Sequence, residues 1–517
     1  MVTRVIAQKI APKVSRAARK TAKGVQHHVT DAVVGALGLH GERMSKVDTA
    51  WLRMDSPSNL MMIVGVWVIQ PGIRYEDLRC RIEERLLKYP RFVQCAVEDP
   101  GGATWVNDPR FDMANHLVVE KLPRKPAGRE QEALQNRLAQ LTMEPLNKQH
   151  PLWQFHLVEQ YKGGAALLVR IHHCIADGIA LVSVMQSLVD GGSPPPEAPH
   201  CDARRTGLEG AEDWIADALL KPLTHMAVRA LGAAGEGVVR SLDLLMDPQK
   251  GMEKGVHESI DLARLAFHAA SDLAALALMP DDSPTQLKGT PGQAKRVAWC
   301  APIPLVEVKA VGKALNCSVN DVLMSCVAGA LGNYLREHGE AVLDKEVRAM
   351  VPVNLRPLDQ AYKLGNQFGL APVVLPIGLD NPVERLYEVR KRMRELKGSL
   401  QPLLAFGLLA VAGLLNKSTQ DAMLGLFSRK TTAVLTNVPG PGAKLKICGA
   451  TLEETLFWVP QSGTVGLGIS ILSYGGGVQF GVVSDATLCP NPQEIIDQFE
   501  PEFAKLALLT LMLPWGE

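Results

Sequence analysis

The stretch Leu168-Val169-Arg170-Ile171-His172-His173-Cys174-Ile175-Ala176-Asp177-Gly178-Ile179 decides how this chain is read. From Ala165 to Ile171 the residues are apolar except for Arg170, a run short enough for a buried strand. Beyond it Ile179, Val182, Met185, Leu188 and Val189 recur at helical spacing. His172 and His173 therefore stand where a strand gives way to a helix, at the end of a sheet, where α/β proteins commonly place their chemistry. Neighbouring strand residues point to opposite faces, so only one of the two histidines reaches a given cavity and the pair is a poor chelator. A plain structural account also exists, with one histidine satisfied in the core, Asp177 capping the helix through its carboxylate and Gly178 easing the turn.

The bulk properties bound the answer. At 517 residues the chain exceeds one usual hydrophobic core and favours two domains. A formal charge of +1 and 5% aromatic residues argue against a nucleic-acid protein, whose basic surface would dominate. The nine cysteines are odd in number and scattered without Cys-x-x-Cys spacing, which indicates neither a zinc knuckle nor a disulfide framework and fits a reducing cytosol. Residues 1–43 differ from the rest: Arg4, Lys9, Lys13, Arg16, Arg19, Lys20 and Lys23 precede the first acidic side chain, Asp31. Apolar residues between the charges make a basic amphipathic segment, interrupted by Pro12, that suits an anionic lipid surface. A solvated tail or a transit peptide would look similar, but no apolar core of the secretory kind is present.

From Met44 onward strands and helices alternate. A polar turn leads to a strand near Leu60–Ile69, a helix over Tyr75–Lys88, short strands at Phe92–Val97 and Leu117–Lys121, and a helix over Arg129–Thr142. A hairpin through Lys162-Gly163-Gly164 then feeds the strand that ends at His172. Consecutive prolines at 194–196 close this first α/β unit, taken as residues 44–195. Residues 196–295 read as a helical connector or cover. A second mixed unit, 296–517, opens with a strand at Arg296–Ile303 and a helix near Leu305–Leu315. Its further strands fall at Arg348–Val353, Pro372–Pro376, Ala433–Thr436, Thr464–Ser473 and Val478–Ser484. Ser318 three residues before Asp321 is a helix-start signature. Gly475-Gly476-Gly477 lies between two strands, so it is a hairpin turn and not a phosphate cradle. The apolar runs Leu403–Leu415 and Leu506–Leu513 fall short of the roughly 18 to 20 residues that span a bilayer, and buried helices account for both.

The pattern His172-His173-x-x-x-Asp177-Gly178 resembles the signature of the CoA-dependent acyltransferase superfamily, which names no substrate. With it come Pro151-Leu152-Trp153, Ser318-Val319-Asn320-Asp321, Asn354-Leu355-Arg356-Pro357, Leu364-Gly365-Asn366-Gln367-Phe368-Gly369 and Thr436-Asn437-Val438-Pro439-Gly440-Pro441. This ordered set resembles the bacterial wax ester synthase/diacylglycerol acyltransferase family. It departs from the family at Thr436, where many members have Ser, and at Leu287-Lys288-Gly289, where many have Leu-Asn-Gly.

The resemblance implies an α/β fold of two acyltransferase-like mixed-sheet domains around a central cleft or tunnel. The reaction it implies moves a fatty acyl group from acyl-CoA to a long-chain alcohol or a diacylglycerol. An alcohol is a weak nucleophile near neutral pH, so a base must take its proton as it attacks the thioester carbonyl, and a neutral imidazole suits that task. His173 is the expected base, with His172 shaping the turn. Asp177 either relays to His173 or holds the loop through an arginine such as Arg356; the superfamily implies the second. Gly178 allows close approach of backbone to substrate. Thr436 and Asn320 are candidate oxyanion donors, Asn320 and Asp321 equally readable as helix-start residues. Acyl-CoA enters as substrate, with no cofactor or metal. The expected setting is cytoplasmic, at the periphery of the inner membrane or of lipid inclusions. Two alternatives are a condensation-type enzyme acting on carrier-bound thioesters and a non-catalytic lipid-surface protein.

Overall fold

The computed structural model describes residues 41–99, 101–123, 126, 128–192, 279–356, 363–397, 401–413 and 417–512. The basic segment 1–43 lies outside this set apart from its last three residues, and so does the connector 196–295 up to residue 278. Two large mixed sheets carry the described chain.

The first sheet contains β1 (Met62–Gln70), β2 (Leu117–Glu120), β3 (Trp153–Tyr161) and β4 (Gly164–His172). The second is built from β5 (Lys295–Trp299), β6 (Val347–Asn354), β7 (Phe368–Leu375), β8 (Ala433–Pro439), β10 (Leu467–Tyr474) and β11 (Gly477–Asp485), with Ile303–Pro304 beside β11. Between β8 and β10 in sequence, β9 (Ala450–Trp458) leaves the second sheet and pairs antiparallel with β1, so the first sheet runs β9-β1-β4-β3-β2 with Lys446–Ile447 outside β9. The second runs β7-β6-β8-β10-β11-β5, parallel at β6-β8 and β8-β10. A late segment of the chain thus completes the sheet that presents the two histidines.

Every residue of β1 from Met62 to Ile69 is buried because the strand is covered on both faces, which is why it reads as a continuous apolar run. Ile63, Trp67 and Ile69 enter one core, and Met62, Val64, Val66 and Val68 enter another. The second core also receives Val297, Trp299, Leu456, Trp458, Leu472 and Val483, so it is the apolar join between the two sheets. A third core lies under the second sheet, against the helix Val319–Glu337.

Five helices shape the site and its surroundings: α1 (Lys46–Arg53), α2 (Gly178–Leu188), α3 (Val319–Glu337), α4 (Gln401–Ala412) and α5 (Gln493–Leu511). The segment expected to be a polar turn after Met44 is the helix α1. Ser45 caps it by accepting from the Asp48 backbone N–H, and Val47, Ala50, Trp51 and Leu52 are all buried. The Gly475–Gly476 pair makes the expected hairpin, with φ of +58° and +85°, a conformation that suits glycine in a two-residue turn. Of the run Leu403–Leu415, the part to Ala412 lies in α4, which packs on β7 and α1, and residues 414 and 415 lie outside the described set. The C-terminal run differs from expectation: Leu506 is buried, but Leu508, Leu509, Leu511 and Met512 at the end of α5 are exposed. Leu506 still meets the third core, whereas the next turn projects past it. Among the described residues no single helix is long and apolar enough to cross a membrane.

Candidate active site

β4 ends at His172 and α2 begins at Gly178, so the five residues 173–177 form the loop predicted from the sequence. The loop is pinned at its start by the His173 N–H, which donates to the Met61 carbonyl at 2.7 Å. Asp177 caps α2, its Oδ1 accepting from the Ala180 N–H at 2.9 Å. Its other oxygen accepts from the Gln367 N–H at 2.9 Å and lies 3.2 Å from Arg356 Nη2. Arg356 also donates to the Gly365 carbonyl at 2.7 Å and to Gln367 Oε1 at 3.2 Å. Asp177 therefore faces the second half of the chain, and its carboxylate is committed to a cap, a backbone N–H and an arginine. Of the two arrangements open in the sequence, the arginine-held loop is the one observed.

His173 is 2% exposed, and its ring lies flat against Trp51 of α1, with centroids 4.1 Å apart and planes 11° from parallel. Phe368 of β7 closes a second side at 5.4 Å. Nδ1 is buried with no hydrogen-bond partner. Burial pushes the ring down to about 4, outweighing its own carbonyl, Asp177 and Asn366, which favour the cation. At neutral pH this imidazole is uncharged, the state a base needs. His172 has a different setting: its Nδ1 accepts from the Cys174 N–H at 3.2 Å, while Nε2 lies 3.4 Å from Asp55 Oδ1 without hydrogen-bond alignment. Burial also pushes the Cys174 thiol well up, so it stays protonated and is no thiolate nucleophile.

Beside the loop lies an apolar cavity of about 100 Å³ between α2 and the two sheets. Its wall includes Ile171 and Gly178, the residues on either side of the histidine loop, together with Trp67, Met185, Val438 and Phe457, but not the His173 ring itself. A Cβ at Gly178 would stand 3.9 Å from the Phe457 ring, an ordinary contact, so the space there would accept a small side chain.

The remaining expected residues sit further off. Asp321 and Ser318 form a complete capping box on α3, each side chain accepting from the other's backbone N–H. Asn320, in the first turn, accepts from Asn437 Nδ2 at 2.7 Å. The Thr436 hydroxyl points to the Ile469 carbonyl at 3.3 Å within the second sheet. Neither residue is among those lining the cavity.

Four residues that sequence reasoning missed complete the surroundings: Trp51, Asp48, Arg91 and Asn366. Asn366 Nδ2 donates to the His173 carbonyl at 2.7 Å and to Asp48 Oδ1 at 2.7 Å. Arg91 Nη1 bridges Asp48 Oδ2 at 3.1 Å and the Ile175 carbonyl at 2.9 Å. In the sequence Asn366 is only one letter of a motif, and Ser45-x-x-Asp48 carries a helix-start spacing that hides the second use of Asp48.

The site is a neutral imidazole on a strand-to-helix loop, held from the opposite half and set beside an apolar cavity, and the family of the chain makes the protein an acyl-CoA-dependent acyltransferase. The chain belongs to the wax ester synthase/diacylglycerol acyltransferase family: residues 44–323 match the family's catalytic domain and residues 364–507 its C-terminal domain. A protein of Mycobacterium tuberculosis named as a probable diacylglycerol O-acyltransferase is 26% identical over 478 residues, covering 90% of this chain and 96% of that one. The solved wax ester synthase/diacylglycerol acyltransferase from Marinobacter aquaeolei VT8 superposes with a TM-score of 0.62 at 19% identity, over 91% of this chain and 100% of that chain. The starter condensation domain of rhizomide synthetase shares the fold, with a TM-score of 0.53 at 15% identity over 93% and 96% of the two chains.

Proposed function

We propose that this acyltransferase moves a fatty acyl group from acyl-CoA to a long-chain alcohol or a diacylglycerol, giving wax ester or triacylglycerol, with His173 as general base. The observation that carries the reading is the uncharged, buried imidazole of His173 on a loop whose two flanks line an apolar cavity. The acceptor hydroxyl loses its proton to the imidazole as its oxygen attacks the thioester carbonyl. The C–O bond forms, the C–S bond breaks, and the imidazolium returns the proton to the departing thiolate. The thioester is already activated, so the chemistry calls for no cofactor or metal beyond acyl-CoA as substrate. Because the ring is covered by Trp51 and Phe368, productive binding includes an opening of the packing at the loop. Thr436 serves an oxyanion only if its hydroxyl turns from the Ile469 carbonyl, and Asn320 is tied to Asn437.

The greasy substrates place the enzyme at a lipid surface on the cytoplasmic side. Supporting this, Leu508, Leu511 and Met512 share one face of the α5 end and are 62%, 62% and 81% exposed, and the sequence adds the basic segment 1–43.

Radiolabelled acyl-CoA offered with hexadecanol and diolein in competition tests the proposal. Labelled wax ester or triacylglycerol from the wild type, lost in His173→Ala, is the expected result. Product that persists in a folded His173→Ala refutes the base, and no product from the wild type refutes the reaction.

A further inference from the structure

The pattern Ser-x-x-Asp occurs at the start of two helices, Ser45–Asp48 on α1 and Ser318–Asp321 on α3. On α3 both halves of the capping box form. On α1 only the serine half does: Ser45 accepts from the Asp48 N–H, while the Asp48 carboxylate turns inward and is 1% exposed. An acidic residue in a first turn gains from the helix dipole at the surface with no need to be buried. Burying it instead demands that its oxygens be matched. The matching partners come from across the molecule: the Asn366 N–H at 3.0 Å, Asn366 Nδ2 at 2.7 Å and Arg91 Nη1 at 3.1 Å.

These partners converge on the loop of the base. Asn366 Nδ2 is shared between Asp48 and the His173 carbonyl, and Arg91 Nη1 between Asp48 and the Ile175 carbonyl. Gly365, with φ of +109°, brings its backbone against the same group: its N–H donates to the Ile175 carbonyl at 3.1 Å, and a Cβ there would sit 3.3 Å from Arg91 Nη1 and 3.5 Å from Asp48 Oδ2. One turn beyond Asp48, on the same helix, Trp51 supplies the surface on which the His173 ring lies. The α1 helix thus grips the base twice, by its ring through Trp51 and by its backbone through Asp48.

We infer that Asp48 is a positioning residue for His173, acting through Asn366 and Arg91 to fix the backbone from which the imidazole projects. The inference rests on the reading of His173 as the base. A misplacement of about 1 Å at a reacting group can lower a rate by about 10²-fold. Asp48→Asn keeps a similar shape but loses the charge that Arg91 meets, and Asn366→Ala removes the donor to His173 while leaving Asp48 its Arg91 and backbone N–H partners. Both are expected to lower kcat by about 10- to 100-fold with little change in KM for acyl-CoA, and to displace the acid limb of the kcat/KM profile. The exchange Asp48→Asn with Asn366→Asp restores a paired carboxylate and amide, but Arg91 loses its charge partner at residue 48 and a side-chain oxygen in place of an N–H faces the His173 carbonyl, so kcat stays low.

Wild-type kcat and pH profile in folded Asn366→Ala overturn the inference, as does recovery of kcat in the exchange. Failure of Asp48→Asn to fold leaves the Asn366→Ala comparison intact. A reading independent of turnover comes from histidine ring resonances in NMR: the His173 signals move in Asn366→Ala, and unmoved signals overturn the inference even where the wild type makes no product. A wild type without transferase activity counts against the proposed reaction and leaves the positioning to be decided by those resonances.

Discussion

Replacing Asp177 by Asn separates the two roles a carboxylate in this motif can have. Asparagine caps a helix about as well as aspartate, so its one oxygen keeps the hydrogen bond from Ala180 N–H, while its NH2 takes the place of the oxygen that accepts from Gln367 N–H. What disappears is the charge opposite Arg356, whose side chain is only 1% exposed. Removing one partner of a buried ion pair costs about 3–5 kcal/mol, because the other charge is left buried. Arg356 keeps the Gly365 carbonyl and Gln367 Oε1, but the Gln367 N–H loses its acceptor as well, so the expected loss is about 3–5 kcal/mol. Asp177→Ala, which also removes the cap, loses about 1 kcal/mol more. The double variant Asp177→Asn/Arg356→Met removes both charges and regains much of the loss, a positive coupling in a double-mutant cycle. Urea unfolding followed by circular dichroism gives the stabilities, and steady-state acyl transfer at a temperature where every variant is folded gives kcat. A stability change under about 0.5 kcal/mol in Asp177→Asn, together with a kcat loss of about 10⁴, is the signature of a carboxylate acting on the imidazole and refutes the structural role.

Other perturbations probe the ring, the cavity and the end of α5. Because the His173 ring titrates at 6.5 when unfolded but is held down to about 4 by burial, stability falls as pH drops from 6.5 toward 4 and levels below, by about 3 kcal/mol at about 1.4 per unit; unfolding midpoints in His173→Gln show a flatter slope over that window. Gly178→Val adds an isopropyl group at the cavity wall near Phe457, so the rate with long-chain substrates falls at least about tenfold while the first turn of α2 tolerates the change; equal rates exclude the cavity as a chain site. Trp51→Ala lowers stability by about 3–5 kcal/mol and admits water beside His173, which raises free fatty acid relative to ester among the products of acyl-CoA; an unchanged ratio means the ring is kept dry by other groups. Leu508→Ser/Leu511→Ser/Met512→Ser weakens flotation with anionic vesicles yet leaves turnover of a short-chain soluble acceptor intact, and undiminished flotation removes α5 from the lipid contact.

The histidine loop was legible because three independent patterns meet there: a run of apolar residues, a change to helical spacing, and the His-His-x-x-x-Asp-Gly signature. The hairpin at Gly475–Gly476 was legible for the same kind of reason, a local rule with a local cause. What escaped the sequence is non-local. The strand Ala450–Trp458 carries Glu453 and Glu454 at its middle, where its register against β1 shifts, so it shows no clean alternation, and nothing near it in sequence says that it completes the other sheet. Asp48 escaped because Ser45-x-x-Asp48 and Ser318-x-x-Asp321 are alike as strings; only the arrival of Asn366, 318 residues away, diverts one of them. The pairing of Asp177 with Arg356 spans 179 residues: the sequence offers Arg356 as one candidate, but no local pattern selects it from the other arginines.

With His173 as the proposed base, its placement bears on which nucleophile it would serve. Water and a long-chain alcohol compete for the same thioester, and water is far more abundant, so an exposed imidazole would hydrolyse acyl-CoA. Here the ring is stacked on Trp51, edged by Phe368 and buried to the point that its cation is disfavoured, while the neighbouring cavity is lined almost wholly by apolar side chains. A site that excludes water raises the local share of a greasy hydroxyl over a small polar one. The low proton affinity of the ring weakens it as a base, and developing positive charge there needs compensation during the attack. Asp177 and the Asn366 amide, which both favour the charged ring, stand on the second half of the chain or are held by it. On the proposed reading, the contacts that the second half makes with the loop therefore bear on both the dryness that favours an alcohol and the electrostatics of proton transfer to the imidazole.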